Sequence, residues 1–210
     1  MNKIGSTEYY EAYAKISLID LYNNKLIKAK IIGKESPDIQ DDINEIGIEV
    51  TRADSNQDCM ATTISNRYFG KNLDFATIDK NVKKNFRNFH GILQHAGCIN
   101  YISSSKGLVD IQTYRDNIKE CIIKKSKKFK KNYKKFREND LYIFIGFCLE
   151  YHDILAIIED IDLNDIPFNY IFINCIDSLY IYSKNDGIVK KEIEKNKLAY
   201  YKKEALNYTE

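Results

Sequence analysis

Ile46-Gly47-Ile48-Glu49-Val50-Thr51 is the stretch that decides the fold class of this chain. Side chains alternate between the two faces of a strand, so the three aliphatic residues share one face and Glu49 and Thr51 share the other. The aliphatic row is typical of a strand that packs on a hydrophobic core. The segment therefore predicts a core strand that presents one carboxylate, Glu49, on its opposite, exposed face.

Predicted helices and strands alternate on both sides of this strand. A helix over 6–22 begins at Ser6, a typical N-cap residue, and an amphipathic helix without breakers covers 111–138. Strands are predicted at 26–32, 141–149, 170–176 and 179–182, a further helix at 81–94, and a charged helical end from 190 onward. This order predicts an α/β (α+β) fold with a central mixed β-sheet flanked by helices.

The length and composition fit one globular domain. The chain has 210 residues and a mass of 24.5 kDa, which is an ordinary single-domain size. Its 44% hydrophobic content excludes a disordered chain, and its 30% charged content favours a soluble one. We expect a single domain over 1–210, with its core at about 6–148 and a C-terminal strand, hairpin and helical extension at 149–210.

The sequence also bounds where the protein works. Its longest strongly apolar stretch, 141–149, is about half of the ~20 residues that a spanning helix needs, so no membrane partner is expected. The first eleven residues lack an apolar signal core, which favours a cytoplasmic location. The five cysteines are odd in number and form no C-x-x-C pair, which argues against a disulfide framework or a zinc ribbon.

Asp38 and Glu49 are the candidate chemical pair. Asp38 directly follows Pro37, which fixes the backbone of a turn, and Glu49 lies on the neighbouring strand. Two such carboxylates can converge at one edge of a sheet, and a hard cation such as Mg²⁺ binds through one or two carboxylates plus substrate phosphates. The alternative is that both acids simply solvate the surface.

The sequence segments around these acids resemble a known motif. Ser36-Pro37-Asp38, followed by Ile48-Glu49-Val50-Thr51, resembles the core motif of the PD-(D/E)xK nuclease superfamily, and the likeness covers about residues 6–145 in element order. It implies a restriction-endonuclease-like core in which Asp38 and Glu49 hold Mg²⁺ or Mn²⁺. It also implies metal-dependent hydrolysis of phosphodiester bonds in DNA or RNA, in one nuclease-like domain.

Thr51 is the departure from the motif, since it occupies the position of the family's lysine. Its hydroxyl can hydrogen-bond a water but supplies no positive charge, so a cation must arrive from elsewhere or catalysis is lost. Arg52 should point to the opposite face of the strand. Lys125 interrupts the apolar stripe of the long helix and resembles the helix-borne lysine of some superfamily members. The alternative is a lysine whose stem covers the core while its ammonium reaches water.

The loss of the motif lysine also allows a function of another class. In that interpretation the chain is a catalytically degenerate nuclease-fold protein that binds nucleic acid or a protein partner. Glu8 or Glu11 on the first helix resembles an acid that joins the metal site in parts of the superfamily. Nothing in their spacing distinguishes them from ordinary exposed glutamates, so both stay outside the predicted site.

Basic residues concentrate on the long helix. The window 119–137 holds ten bases and one acid, whereas the rest of the chain holds 22 bases and 29 acids. The near-neutral net charge of +2 therefore hides a strongly cationic segment, which can neutralise phosphates. The predicted nucleic-acid contacts are Lys124, Lys127, Lys128 and Lys131.

A solvated helix face is the alternative reading of these lysines, and contact with an anionic membrane or an acidic protein is a minor one. DNA or RNA is the expected partner. A homodimer is compatible with this function, because cleavage of both strands of a duplex often uses a symmetric pair of sites.

Overall fold

A computed structural model describes residues 5–32, 37–68, 73–96, 99–103 and 111–209. Within these ranges the helices are α1 (Thr7–Leu21), α2 (Asn56–Tyr68), α3 (Phe75–Asn85), α4 (Ile111–Asn132), α5 (Tyr151–Glu159) and α6 (Lys195–Asn207). The strands are β1 (Lys30–Ile31), β2 (Ile39–Asp41), β3 (Ile46–Arg52), β4 (Ile92–Ala96), β5 (Ile99–Ser103), β6 (Glu138–Phe144), β7 (Tyr170–Cys175), β8 (Ser178–Ser183) and β9 (Gly187–Glu192).

The chain forms two compact units. One comprises Met1–Ala53 and Tyr114–Glu210, and the other comprises Asp54–Thr113. Among its described residues the second unit has a small core of its own, with Ile64 and Tyr68 from α2 against Ile78 and Val82 from α3. Its strands β4 and β5 pair as an antiparallel hairpin.

A mixed sheet forms the centre of the first unit. In the described residues it has seven strands in the order β1-β2-β3-β6-β7-β8-β9. The pairs β3–β6 and β6–β7 are parallel, whereas the other neighbours are antiparallel. The prediction of an α/β chain with a central mixed sheet and flanking helices is therefore confirmed.

Strand β3 lies inside this sheet with the predicted alternation. Ile46, Ile48 and Val50 are buried in one cluster with residues of α1 and α6. The opposite face of β3 lies under α4, which connects to the parallel strand β6. Helix α4 runs antiparallel to β3, as a crossover between two parallel strands requires.

Local signals placed several other elements correctly. Ser6 caps α1, and its side-chain oxygen accepts a hydrogen bond of 3.3 Å from the Tyr9 N–H. The predicted hairpin near the C-terminus is present as β7 and β8. The strand predicted at 26–32 is mostly wrong, because Asn24–Lys28 forms a 3₁₀ helix and only β1 is extended.

The helix predicted at 81–94 is wrong in position. Asp74 starts α3 earlier, since its Oδ1 accepts from the Thr77 N–H at 2.9 Å. After α3, the backbone N–H of His90 donates to Gln57 Oε1 at 2.8 Å. A Cβ at Gly91 would lie 2.0 Å from the Ser103 carbonyl oxygen, so the chain passes too close to β5 to remain helical.

The long helix ends at Asn132, six residues before the predicted end. Asn139 holds the segment between α4 and β6 in a non-helical turn. Its Oδ1 accepts from the Phe136 N–H at 2.9 Å, and its Nδ2 donates to the Phe136 carbonyl. Glu138 already belongs to β6, which ends at Phe144 rather than at 149. Strand β9 is an addition, since only a helical end was predicted from 190 onward. None of the described helices is long and apolar enough to cross a membrane.

Candidate functional site

Asp38 is held against β3 by its own carboxylate. The Val50 N–H donates to Asp38 Oδ2 at 2.7 Å, and the pairing of Ile39 with Ile48 fixes the two strands beside it. Gln40 closes the preceding turn, since its Nε2 donates to the Pro37 carbonyl at 2.9 Å. Ser36, the first residue of the motif, lies outside the described residues.

Gly47 lets this turn lie close to the strand. A Cβ at Gly47 would be 2.6 Å from Pro37 Cγ and 2.5 Å from Phe136 Cδ2. Real Cβ contacts are not that short, so a side chain at this position would displace the proline that precedes Asp38. Local sequence carries no signal for this role, because it depends on the distant Phe136 ring.

Glu49 is buried rather than exposed as predicted. Helix α4 covers its face of β3, and the Lys125 ammonium donates to Glu49 Oε1. Only 4% of the Glu49 side chain and 16% of the Lys125 side chain are exposed. The other carboxylate oxygen, Oε2, is buried and has no hydrogen-bond partner among the described residues.

Lys125 reaches this position from the buried stripe of α4. Ile122 and Phe129, on neighbouring turns, are buried, and the Ser126 hydroxyl donates to the Ile122 carbonyl at 2.8 Å. The Lys125 stem therefore follows the core, and its ammonium bonds to a carboxylate rather than extending into water. This ion pair joins residues that are 76 positions apart in the chain.

The two carboxylates are close enough to affect each other. The pKa of Asp38 is raised to about 6, mainly by burial and then by the Glu49 charge. The Val50 N–H and the charges of Lys125 and Lys128 oppose this rise. The structure therefore brings Asp38, Glu49 and Lys125 together in one electrostatic group.

Thr51 contributes no charge to this group. Its hydroxyl oxygen lies 3.6 Å from the Cys121 Sγ, and burial raises the pKa of that thiol. Arg52 points to the other face, as predicted, where its guanidinium carbon lies 4.6 Å from the centre of the Tyr10 ring. Lys125 is thus the cation that the structure places beside Glu49.

The lysines of α4 and the following connection differ in their partners. Lys119, Lys130 and Lys134 form ion pairs with Asp160, Asp165 and Asp42, at 3.0, 3.0 and 2.7 Å respectively. Lys125 pairs with Glu49, and a further set is exposed without an ion-pair partner in the described part of the chain, as is Lys135 on the connection. That set comprises the four predicted nucleic-acid contacts, which we call the exposed lysine row: Lys124, Lys127, Lys128 and Lys131.

The exposed lysine row lines a shallow groove together with Ile123 and Glu120. Ile123 is 42% exposed, so the groove floor is partly apolar. Lys128 is the member whose charge acts on Asp38. The exposed lysine row is therefore near enough for one of its charges to act on Asp38.

Other buried acids lie outside this group. Glu11 on α1 is 1% exposed, so the expectation of an ordinary exposed glutamate is wrong, whereas Glu8 is exposed. Asp140 on β6 is also buried, and burial and the neighbouring Glu138 hold its pKa well above the usual range. Asp140 pairs in register with Ile48, which places it on the opposite face of the sheet from Glu49.

The chemistry available to the site follows from its donor set. No group of three or more His, Cys, Asp or Glu side chains in the described ranges is arranged to hold a metal ion. Asp38 and Glu49 provide two hard oxygen ligands, which suits an ion that keeps several waters. Comparisons of the chain with protein-family models, with curated proteins and with solved structures find no match.

Proposed function

We propose that this chain is a metal-dependent nuclease that hydrolyses phosphodiester bonds in DNA or RNA. The observation that carries the proposal is the convergence of Asp38, Glu49 and Lys125 from three separate elements. Two carboxylates and one ammonium suit phosphoryl chemistry. The carboxylates can hold a metal ion, and the metal ion and the ammonium can both stabilise the negative charge that develops on the phosphate.

The order of elements supports a restriction-endonuclease-like core. Helix α1 is followed by the antiparallel strands β1, β2 and β3, and α4 then crosses to β6, which is parallel to β3. The resemblance implies the order helix, strand, aspartate, strand with the second acid, helix and further strand, and here α2, α3, β4 and β5 lie in sequence between that second strand and α4. Asp38 directly precedes β2 and Glu49 lies within β3, as the proposed active site requires.

The residues present fit a divalent ion. Glu49 Oε2 is a buried carboxylate oxygen without a hydrogen-bond partner among the described residues, and such an atom is costly unless a cation or donor reaches it. In our proposal Asp38 and Glu49 hold Mg²⁺ or Mn²⁺. When bound, the ion supplies Lewis acidity and lowers the pKa of its water.

The chain's own groups then have separate tasks. Asp38 is fixed by the Val50 N–H, which leaves its second oxygen for a ligand. Lys125 replaces the missing motif lysine, and its ammonium, once it leaves Glu49, supplies to the substrate phosphate the positive charge that Thr51 lacks. The exposed lysine row neutralises backbone phosphates and holds the substrate beside the carboxylates.

Substitution of the two carboxylates tests this proposal. With Mg²⁺ or Mn²⁺, the wild-type protein should nick supercoiled plasmid or cleave labelled RNA. Asp38→Asn and Glu49→Gln should reduce the rate to background, because each removes a charged ligand with little change in shape. Asp42→Asn is the matched control: Asp42 lies near Asp38 in sequence but is exposed and pairs with Lys134. Undiminished cleavage by the Asp38 and Glu49 variants would refute the assignment.

A second candidate function is a catalytically degenerate nuclease-fold protein that binds nucleic acid or a protein partner. Thr51 at the motif's lysine position favours it. Calorimetry with Mn²⁺ distinguishes the two functions. Nucleic-acid binding without metal binding at Asp38 and Glu49 supports the degenerate protein, whereas metal binding that both substitutions abolish supports the nuclease.

A further inference from the structure

We propose that Lys125 is a built-in counter-cation that occupies the cation position beside Glu49 and must withdraw before a divalent ion binds. Lys125 would thereby set the metal affinity of the site. This inference rests on the proposed function and deepens it, because it names how metal binding at that site is regulated.

The contacts of Glu49 carry the argument. Its Oε1 accepts from the Lys125 ammonium, and its Oε2 has no hydrogen-bond partner among the described residues. Lys125 is therefore the only ion-pair partner of Glu49 in the described structure. With 4% of the Glu49 side chain and 16% of the Lys125 side chain exposed, water gives little help in neutralising either charge.

The charge balance opposes simultaneous occupancy. Asp38 and Glu49 together carry two negative charges when ionised, and the Lys125 ammonium cancels one of them. A divalent ion bound to Glu49 would meet the ammonium at close range, where an effective dielectric constant of about 20 leaves like charges strongly repulsive. One cation or the other can occupy the position, but both together are disfavoured.

The Lys125 ammonium can move from Glu49 toward the exposed lysine row. Its stem is flexible, and its turn of α4 also carries Lys124 and Lys128, which are exposed. A nucleic-acid phosphate on the exposed lysine row would give the released ammonium a new anionic partner. Metal and nucleic acid would then favour each other's binding, and the coupling must be equal in both directions.

Mn²⁺ titration in the absence of nucleic acid tests the proposal. Isothermal calorimetry at pH 8 would compare the wild type with Lys125→Met, which removes the competing charge. We expect Lys125→Met to bind Mn²⁺ at least roughly tenfold more tightly than the wild type. Lys130→Met is the matched control, because Lys130 lies on the same helix but pairs with Asp165. The Mn²⁺ affinity of this variant should equal that of the wild type.

A second variant covers the case in which Lys125→Met does not fold without metal. Lys125→Gln keeps a hydrogen-bond donor near Glu49 but removes the charge. The Mn²⁺-induced rise in Tm should be larger for this variant than for the wild type. An equal or weaker Mn²⁺ affinity, or an equal or smaller rise in Tm, overturns the proposal.

The outcomes separate this inference from the proposed nuclease activity. Tighter Mn²⁺ binding by the Lys125 variants without any cleavage by the wild type keeps the counter-cation and removes the nuclease. Cleavage that depends on Asp38 and Glu49, with unchanged Mn²⁺ affinity in the Lys125 variants, keeps the nuclease and removes the counter-cation. No Mn²⁺ binding by any variant overturns the inference.

Discussion

Gly47→Ala should destabilise the first unit and disturb the candidate site together. The added Cβ would lie 2.5 Å from Phe136 Cδ2 and 2.6 Å from Pro37 Cγ. Carbon atoms pack best at about 3.5–4.0 Å, so the ring and the proline must each retreat by roughly 1 Å. Pro37 directly precedes Asp38, and its displacement moves the carboxylate away from Val50.

The expected magnitude follows from two opposing effects. Overpacking of a filled site costs about 1–3 kcal/mol. Replacement of glycine within a strand recovers about 0.5–1 kcal/mol of backbone entropy. The free energy of unfolding should therefore fall by about 1–2 kcal/mol, which corresponds to a fall in Tm of about 2–8 °C for a unit of this size.

Urea denaturation followed by circular dichroism measures this change, and calorimetry with Mn²⁺ reports on the site. The double variant Gly47→Ala with Phe136→Leu is the control, because a smaller side chain at residue 136 leaves room for the new methyl group. It should lose less stability than the sum of the two single changes. Unchanged stability of Gly47→Ala, or strictly additive losses, would contradict the close packing around Gly47.

Three further predictions concern charge. The pKa of Asp38, raised to about 6, means that Mn²⁺ affinity should fall as the pH drops through about 6, and calorimetry from pH 5 to 8 checks this; constant affinity would exclude Asp38 as a ligand. In the metal-free protein, low pH favours stability instead. The stability that protonated Asp38 contributes is present below pH 3.8 and lost as the pH rises through about 6. The free energy of unfolding of Asp38→Asn should therefore increase relative to that of the wild type over this pH range. Alanine at all four positions of the exposed lysine row should make duplex binding less dependent on salt. The slope of the logarithm of the binding constant against the logarithm of salt concentration should become shallower by about 3–4, measured by anisotropy without divalent ions. Alanine at Lys119, Lys130 and Lys134 should change the slope less; equal changes would argue against the row as the phosphate contact.

Much of the candidate site was predictable from local sequence. The alternation in 46–51 predicts β3 and the faces of its side chains, and these depend on strand geometry alone. The position of Lys125 within an apolar helical stripe predicts that its stem follows the core. The signal for the exposed lysine row is its charge density, which needs no knowledge of the fold.

Errors arose where a distant part of the chain decides the local structure. Strand alternation shows only that Glu49 faces away from Ile48, and that face was expected to be exposed. Helix α4 covers it instead. The helical pattern continues past Asn132, but Asn139 and the start of β6 end the helix there.

By itself, the sequence determined which residues share a face, where α1 starts, and which helix carries the positive charge. These properties follow from the strand and helix repeats and from side-chain chemistry, which act over a few residues. Only the tertiary structure decided that Glu49 is buried, that Lys125 neutralises it, and that Gly47 must lack a side chain. The physical reason is that burial and ion pairing depend on groups brought together from distant positions, and the crossover from β3 through α4 to β6 brings them there.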